Sequence, residues 1–498
     1  MNYLIILPVM VPVLMGLILF VIPQKVLAAK EGAKHPYAKV HILFAVAMIL
    51  SAASSVGIIA AGIAQRPVVL FELLDGLPIM FAVDETGIVF SIVTTIGFVA
   101  AGAFSFRYMK GEKNYYAFYI MTYAVLQGME FAGNLLTMYL FFELVTLCSF
   151  PLVLHNKSHE SVMAALKYLF YSLCGAYMGL FGIYVLYQNT TTIAFKAGGT
   201  LDMGLAGEHP GFVLTAVFLA ILGFGVKAGM FPLHAWLPTA HPVAPAPASA
   251  VLSGIIVKAG VLAIIRVVYF IAGPEFLQGT WVQLVWMILT CVTVFMGSLL
   301  AYKEKVLKKR LAYSTVSQLS YILFGLAVLQ PTALTGSVLH VIFHAFIKIV
   351  LFLCAGAIIH RTGFENVDEL RGIGKKMPIT MICFTVASLG LIGIPPTGGF
   401  LSKWYLATGA LTAQVGAFRY IGPAILLASA LLTAGYLLPI SIKGFFPGED
   451  FDYKANPMKE SSPWMWVPIL ILTLLSIIGG VYPDLFMRVI EWIPIVVF

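Results

Sequence analysis

Long apolar runs alternate with short polar connections along all 498 residues. Taking each run to its bounding charges or Gly/Pro clusters predicts about fourteen helices, near 3–22, 40–63, 82–104, 115–131, 134–154, 161–187, 211–231, 246–272, 281–301, 311–330, 335–360, 377–408, 421–441 and 465–487. Most match the roughly 20 residues a helix needs to cross hydrocarbon. No connection could house a soluble domain, and the longest polar stretch, 443–462, reads as a loop. The first run lacks a basic leading segment and a small-residue cleavage site, so it is expected to stay as a helix and not act as a signal peptide. The expected fold class is an all-α polytopic membrane protein.

Composition supports that class. Apolar and aromatic residues make up 60% of the chain and charged residues 10%, against roughly 25% charged in soluble domains. A soluble enzyme, a disordered chain and a secreted disulfide scaffold are excluded. The net charge of +8 reads as topology signal and gives no reason to expect nucleic acid as a partner. Connections after odd-numbered helices carry 20 cations, Lys30, Lys34 and Lys454 among them, whereas the opposite side carries four, Arg66, Lys196, Arg419 and Arg488. This bias places the odd-numbered connections in the cytoplasm and both termini outside. The five cysteines sit within apolar runs without metal-ligand spacing and read as packing residues.

Six cations remain inside predicted spans: Lys167, Lys227, Lys258, Arg266, Lys348 and Lys403. Lys167 and Arg266 lie near helix ends and can snorkel; the other four lie too deep. Among the acids, Glu143 is expected to be the only one deep in a span. Intramembrane charge is costly and marks ion pathways. An ammonium group removed from water holds its proton less tightly, and a nearby carboxylate restores the affinity. A carboxylate facing Lys227 would therefore switch that lysine between loading and release. A packing ion pair accounts for one Glu with one Lys and leaves three lysines over. His340, His344 and Lys348 follow at i, i+4 and i+8, a stripe about 12 Å long suited to proton relay. The preceding helix carries Tyr313, Ser314, Thr315, Ser317, Gln318 and Ser320, which could hold water.

Two helices should be interrupted. Pro232, Pro238, Pro242, Pro245 and Pro247 follow Lys227, and Pro395, Pro396, Gly398 and Gly399 precede Lys403. Unwound backbone at membrane depth is tolerated only where protein or water satisfies it, and paired interrupted helices point to an ion site. The two are the seventh and twelfth helices, five apart. The chain therefore divides into a three-helix segment (1–114), a five-helix repeat (115–272), a second repeat (273–441) inverted relative to the first, and a C-terminal loop and helix (442–498).

The run KAGMFPLHAWLPTAHPVAPAPASAVLSGIIVKAG, with LLTMYLFFELVTL, RLAYSTVSQLSY, FHAFIKIVLFLCAGAII and IPPTGGFLSKW, resembles the antiporter-like, proton-conducting membrane subunits. That family includes antiporter-like subunits of respiratory complex I, A- and D-type subunits of Mrp cation/proton antiporters, and subunits of membrane-bound hydrogenases. The resemblance covers essentially the whole chain and implies two inverted five-helix repeats. It matches Glu143 to the family's key acid, Lys227 to its broken-helix lysine, Lys258 to its central lysine, His344 with neighbouring His340 to its relay histidine, Lys348 to an often basic position, and Lys403 to the second broken helix. It implies partner subunits in a complex of a bacterial or archaeal cell membrane, other antiporter-like chains among them, with protons and possibly sodium as cargo. Two departures place the chain within the family: it stops at Phe498, short of the lateral helix and extra spans of the largest members, and Gln318 stands where several complex I members have histidine. Both favour a D-type or hydrogenase member over a complex I member.

A self-contained solute transporter and a haem- or quinone-binding redox subunit are the competing classes. The lysine-rich centre favours protons over sodium, which prefers an oxygen cage. No cofactor or metal ligand set is visible, and a haem clamp would need histidines on two facing helices. This chain is expected to do no chemistry beyond proton transfer.

Overall fold

Four of the main helices begin at a polar side chain that caps them. The computed structural model describes residues 2–27, 36–61, 67–74, 76–449, 451–452 and 459–498; Lys30, Lys34, Arg66 and Lys454 lie outside them. The main helices are α1 (Leu7–Val21), α2 (Ala38–Ala60), α3 (Glu85–Tyr108), α4 (Lys113–Glu130), α5 (Leu135–Val153), α6 (His159–Gln188), α7 (Pro210–Lys227) and α8 (Leu237–Val243). They continue with α9 (Ala246–Ala272), α10 (Trp281–Lys303), α11 (Leu307–Ala327), α12 (Pro331–Thr362), α13 (Pro378–Ile392), α14 (Gly398–Thr412), α15 (Phe418–Phe445) and α16 (Pro463–Val481). Side chains of Asp84, Asn134, Ser158 and Gln330 accept backbone N–H groups at the starts of α3, α5, α6 and α12, satisfying donors no earlier turn can reach.

Each predicted segment coincides with a helix or a pair of helices. Among the described residues, eleven helices are long and apolar enough to cross a bilayer. The other segments fall short for visible reasons. α4 is rich in tyrosine and ends in Gln127 and Glu130; α11 opens with Lys308, Lys309 and Arg310 and continues with hydroxyls; the third is split into α13 and α14. One element was not expected: an antiparallel hairpin, β1 (Val68–Leu74) and β2 (Leu77–Phe81), in which Leu74 pairs with Leu77. An Asp-Gly pair at 75–76 is the hairpin signal in the sequence, and Gly76 has φ +75°.

Two helices form the centre. Over an 18-residue apolar stretch of α9 every residue is buried, and over that of α12 94% are, against 33% in Tyr3–Val21, which includes α1, and in α2. The outer helices turn apolar side chains outward, as lipid-facing surfaces do. α9 contains two wide π-helical stretches, Leu252–Ile256 and Arg266–Ala272, of the kind that recurs at functional sites. Gly260 lets α9 approach the end of α7: a Cβ there would collide with the Phe224 carbonyl and lie 3.2 Å from Lys227 Cβ. The packing thus brings the seventh predicted helix, with its lysine, against the helix that carries Lys258.

Candidate functional site

Both expected interruptions are present. α7 ends at Lys227, Gly229 follows at φ +71°, and the chain re-enters a helix only at Leu237. α13 ends in Gly393 at φ +92°, a left-handed cap that glycine adopts freely, and α14 resumes at Gly398. Gly399 packs so closely on the end of α13 that any Cβ would overlap the Gly390 carbonyl.

Lys227 is buried, and its ammonium donates to the Phe142 carbonyl at 2.9 Å and to Thr146 Oγ1 at 2.7 Å, both on α5. It also lies 4.1 Å from the centre of the Phe142 ring, a cation–π contact. Glu143 is the next residue on α5, half-buried, and accepts from the Tyr139 hydroxyl at 3.2 Å. The two charges are neighbours but not an ion pair, since the lysine hydrogen-bonds neutral oxygens.

From the centre to the second break the side chains follow one another. Lys258 Nζ donates to the Gly254 carbonyl and lies 3.1 Å from His344 Nδ1. The rings of His344 and His340 stack at 5.8 Å, and Tyr321 stacks on His340 at 5.6 Å. His340 Nδ1 is 2.9 Å from Ser402 Oγ, which itself reaches the Gly399 carbonyl at 3.0 Å. With the Ser402 proton on that carbonyl, His340 Nδ1 must be the donor, which leaves its Nε2 as a bare acceptor. An ammonium donating to His344 Nδ1 leaves His344 Nε2 as a donor. Neither Nε2 has a partner, and buried polar atoms in that condition call for water. Lys403, beside Ser402, donates to the Leu391 and Ile392 carbonyls at 2.5 and 3.1 Å, the orphan end of α13, and lies 4.7 Å from the Tyr321 ring.

Lys348 leaves the predicted stripe. Its ammonium turns to α11, donating to the Leu311 carbonyl at 3.0 Å and Ser314 Oγ at 2.7 Å, while Tyr436 donates to the same hydroxyl. Gln318 is buried, with no hydrogen-bond partner for its amide. The structure also corrects the charge inventory. Arg266 does not snorkel: it is buried and pairs with Asp84, with one contact at 2.8 Å. Lys308, counted among the topology cations, is buried and donates to the Pro242 and Ala244 carbonyls at 3.0 and 2.6 Å, at the end of α8. Glu143 is not the only acid at depth. Glu130 is 3% exposed, held by Thr94 and by Gln127 at 2.9 Å. Its position at the end of a tyrosine-rich helix hid it, because the sequence gives no tilt and so no depth for a terminal residue. Among the described residues no cluster of three or more His, Cys, Asp or Glu could hold a metal ion.

Fold and site together define an integral membrane protein with a file of buried lysines and histidines through its centre. Residues 132–433 match the transmembrane family described as NADH:quinone oxidoreductase/Mrp antiporter, and the chain belongs to that family. It is 35% identical over 404 residues to the N-type subunit of the NADH-quinone oxidoreductase of Desulforudis audaxviator, covering 78% of each chain. It is 29% identical over 496 residues to the D-type subunit of the Na(+)/H(+) antiporter of Bacillus subtilis, covering 96% of this chain and 94% of that one. In shape it is similar to a chain of the Mrp complex from Dietzia sp., with a TM-score of 0.83 at 23% identity, over 99% of this chain and 97% of that one.

Proposed function

We propose that this chain translocates protons as the antiporter-like subunit of a multisubunit membrane complex. The path runs from Glu143 and Lys227 through Lys258, His344 and His340 to Lys403, with Lys348 as a buried side station on α11. In this reading the chain crosses the bilayer fourteen times, 115–272 and 273–441 are inverted repeats, and both termini lie outside a bacterial or archaeal cell membrane. The Lys258–His344 contact at 3.1 Å carries the reading, because it joins the lysine of one half to the histidine helix of the other. Protons are the cargo of this chain, and sodium, where it is exchanged, crosses through a partner subunit.

A D-type Mrp or hydrogenase-type parent is favoured by the match to the D-type antiporter chain along 96% of the sequence. The higher identity to an N-type chain supports the second reading, a subunit of a quinone-reducing complex. Purifying the complex and identifying its other chains separates the two. The path itself is tested by Lys258→Met in the assembled complex, reconstituted into proteoliposomes with a pH-sensitive dye inside. Proton uptake should be lost; uptake at the wild-type rate refutes the path.

A further inference from the structure

Glu130 has no place in the path above, yet it is buried within reach of its centre. Thr94 donates to one carboxylate oxygen and Gln127 to the other at 2.9 Å, and Gln127 is itself fixed by Ser91 at 2.7 Å. Glu130 and Lys258 line a common cavity with Thr94, Phe90, Leu126 and Leu262. It offers about 10 Å³ to the centre of a water molecule, room for about one water. Among the described residues the two charges form no ion pair. Opposite charges buried together without contact are not a packing device, since an uncompensated charge is costly and the pair gains little from a distance.

We propose that Glu130 is a second proton-exchange site on Lys258, joined to it by a single water. Lys258 in its ammonium form gives a proton to that water, which passes one of its own to the Glu130 carboxylate. The products are a neutral amine and a neutral carboxylic acid, so two buried charges vanish in one step. The hydrogen bonds around Glu130 suit both states. Thr94 donates to the carboxylate and, by rotating its hydroxyl, accepts from the acid, whereas Gln127 stays anchored. Arg266 lies eight residues beyond Lys258 on α9, about 12 Å along the helix, and pairs with Asp84, which caps α3. The cavity extends along α9 from Ile255 to Leu262, on both sides of Lys258. The site would give the first half of the chain its own exchange point, independent of the histidines.

The inference rests on Lys258 carrying protons, and the experiment separates the two claims. The complete complex in proteoliposomes is compared with Glu130→Gln, which keeps the volume, still accepts from Gln127 and donates to a rotated Thr94 hydroxyl, and with Lys258→Met. Glu130→Gln should slow proton uptake about tenfold. Infrared difference spectra on acidification should show a buried carboxylic acid band in the wild type that is absent in Glu130→Gln and displaced in Lys258→Met. Wild-type uptake and an unchanged spectrum in Glu130→Gln, with Lys258→Met inactive, overturn the branch and leave the main path standing. Normal uptake in Lys258→Met overturns both. If Glu130→Gln does not assemble, Glu130→Asp decides: slower uptake with the acid band retained supports the site, and loss of the band refutes it.

Discussion

The two broken helices hold their lysines in opposite ways. At the first break, Lys227 is the last residue before the interruption and donates away from its own helix, to α5. The acid Glu143 sits on that same α5. At the second, Lys403 lies after the interruption and donates back to the carbonyls that end α13. No carboxylate contacts it among the described residues; an aromatic ring and a helix end do. A helix C-terminus carries a fixed partial negative charge, whereas a carboxylate can move or be neutralised. On the proposed path, the first lysine lies beside a group that can switch it and the second beside one that cannot.

Substitutions can break or sharpen this contrast. The largest effect is expected for Lys227→Ala: at least about 100-fold slower proton transport, with assembly intact by gel filtration. Normal transport in assembled complexes would make the lysine a packing group. Glu143→Gln comes next. It turns the first break into a version of the second, with only neutral oxygens around the lysine. Because a neighbouring charge changes a proton equilibrium by roughly tenfold or more, transport should slow about 10- to 100-fold, and an unchanged rate would remove the switch. Lys403→Gln should be milder, about tenfold, because the α13 carbonyls then need only a neutral donor. A loss as deep as that of Lys227→Ala would erase the distinction. The smallest effect concerns stability alone. Trp236 donates from its indole to the Val226 carbonyl at 2.8 Å, closing the end of α7. Trp236→Phe should cost about 1 kcal/mol, read as an earlier thermal transition of the solubilised complex.

How much of this was legible in the sequence depends on what each feature needs. Apolar runs bounded by charge give helices within a few residues, because length and hydropathy are local. The breaks at Pro232 and at Pro395–Pro396 were legible for the same reason: proline acts on its own helix. The lysines were found because charge inside an apolar run is conspicuous. Their partners were not. Lys348 turns to Ser314 and away from His344, which follows from how α11 packs on α12. Ser402, which takes the contact from His340, is an ordinary hydroxyl until α14 is placed against α12. Glu130 and the Asp84–Arg266 pair sit at helix ends, where a sequence cannot tell a solvated charge from one covered by a neighbour. The hairpin goes unread because its strands fall in the connection between the second and third apolar runs, where only the two-residue Asp-Gly turn marks it.

Lys308 ties two stretches of chain that lie more than sixty residues apart. It belongs to the first turn of α11, but its ammonium is fastened to main-chain oxygens at the end of α8, the short helix that follows the first interruption. A displacement of α11 that keeps these two hydrogen bonds therefore carries the end of α8 with it.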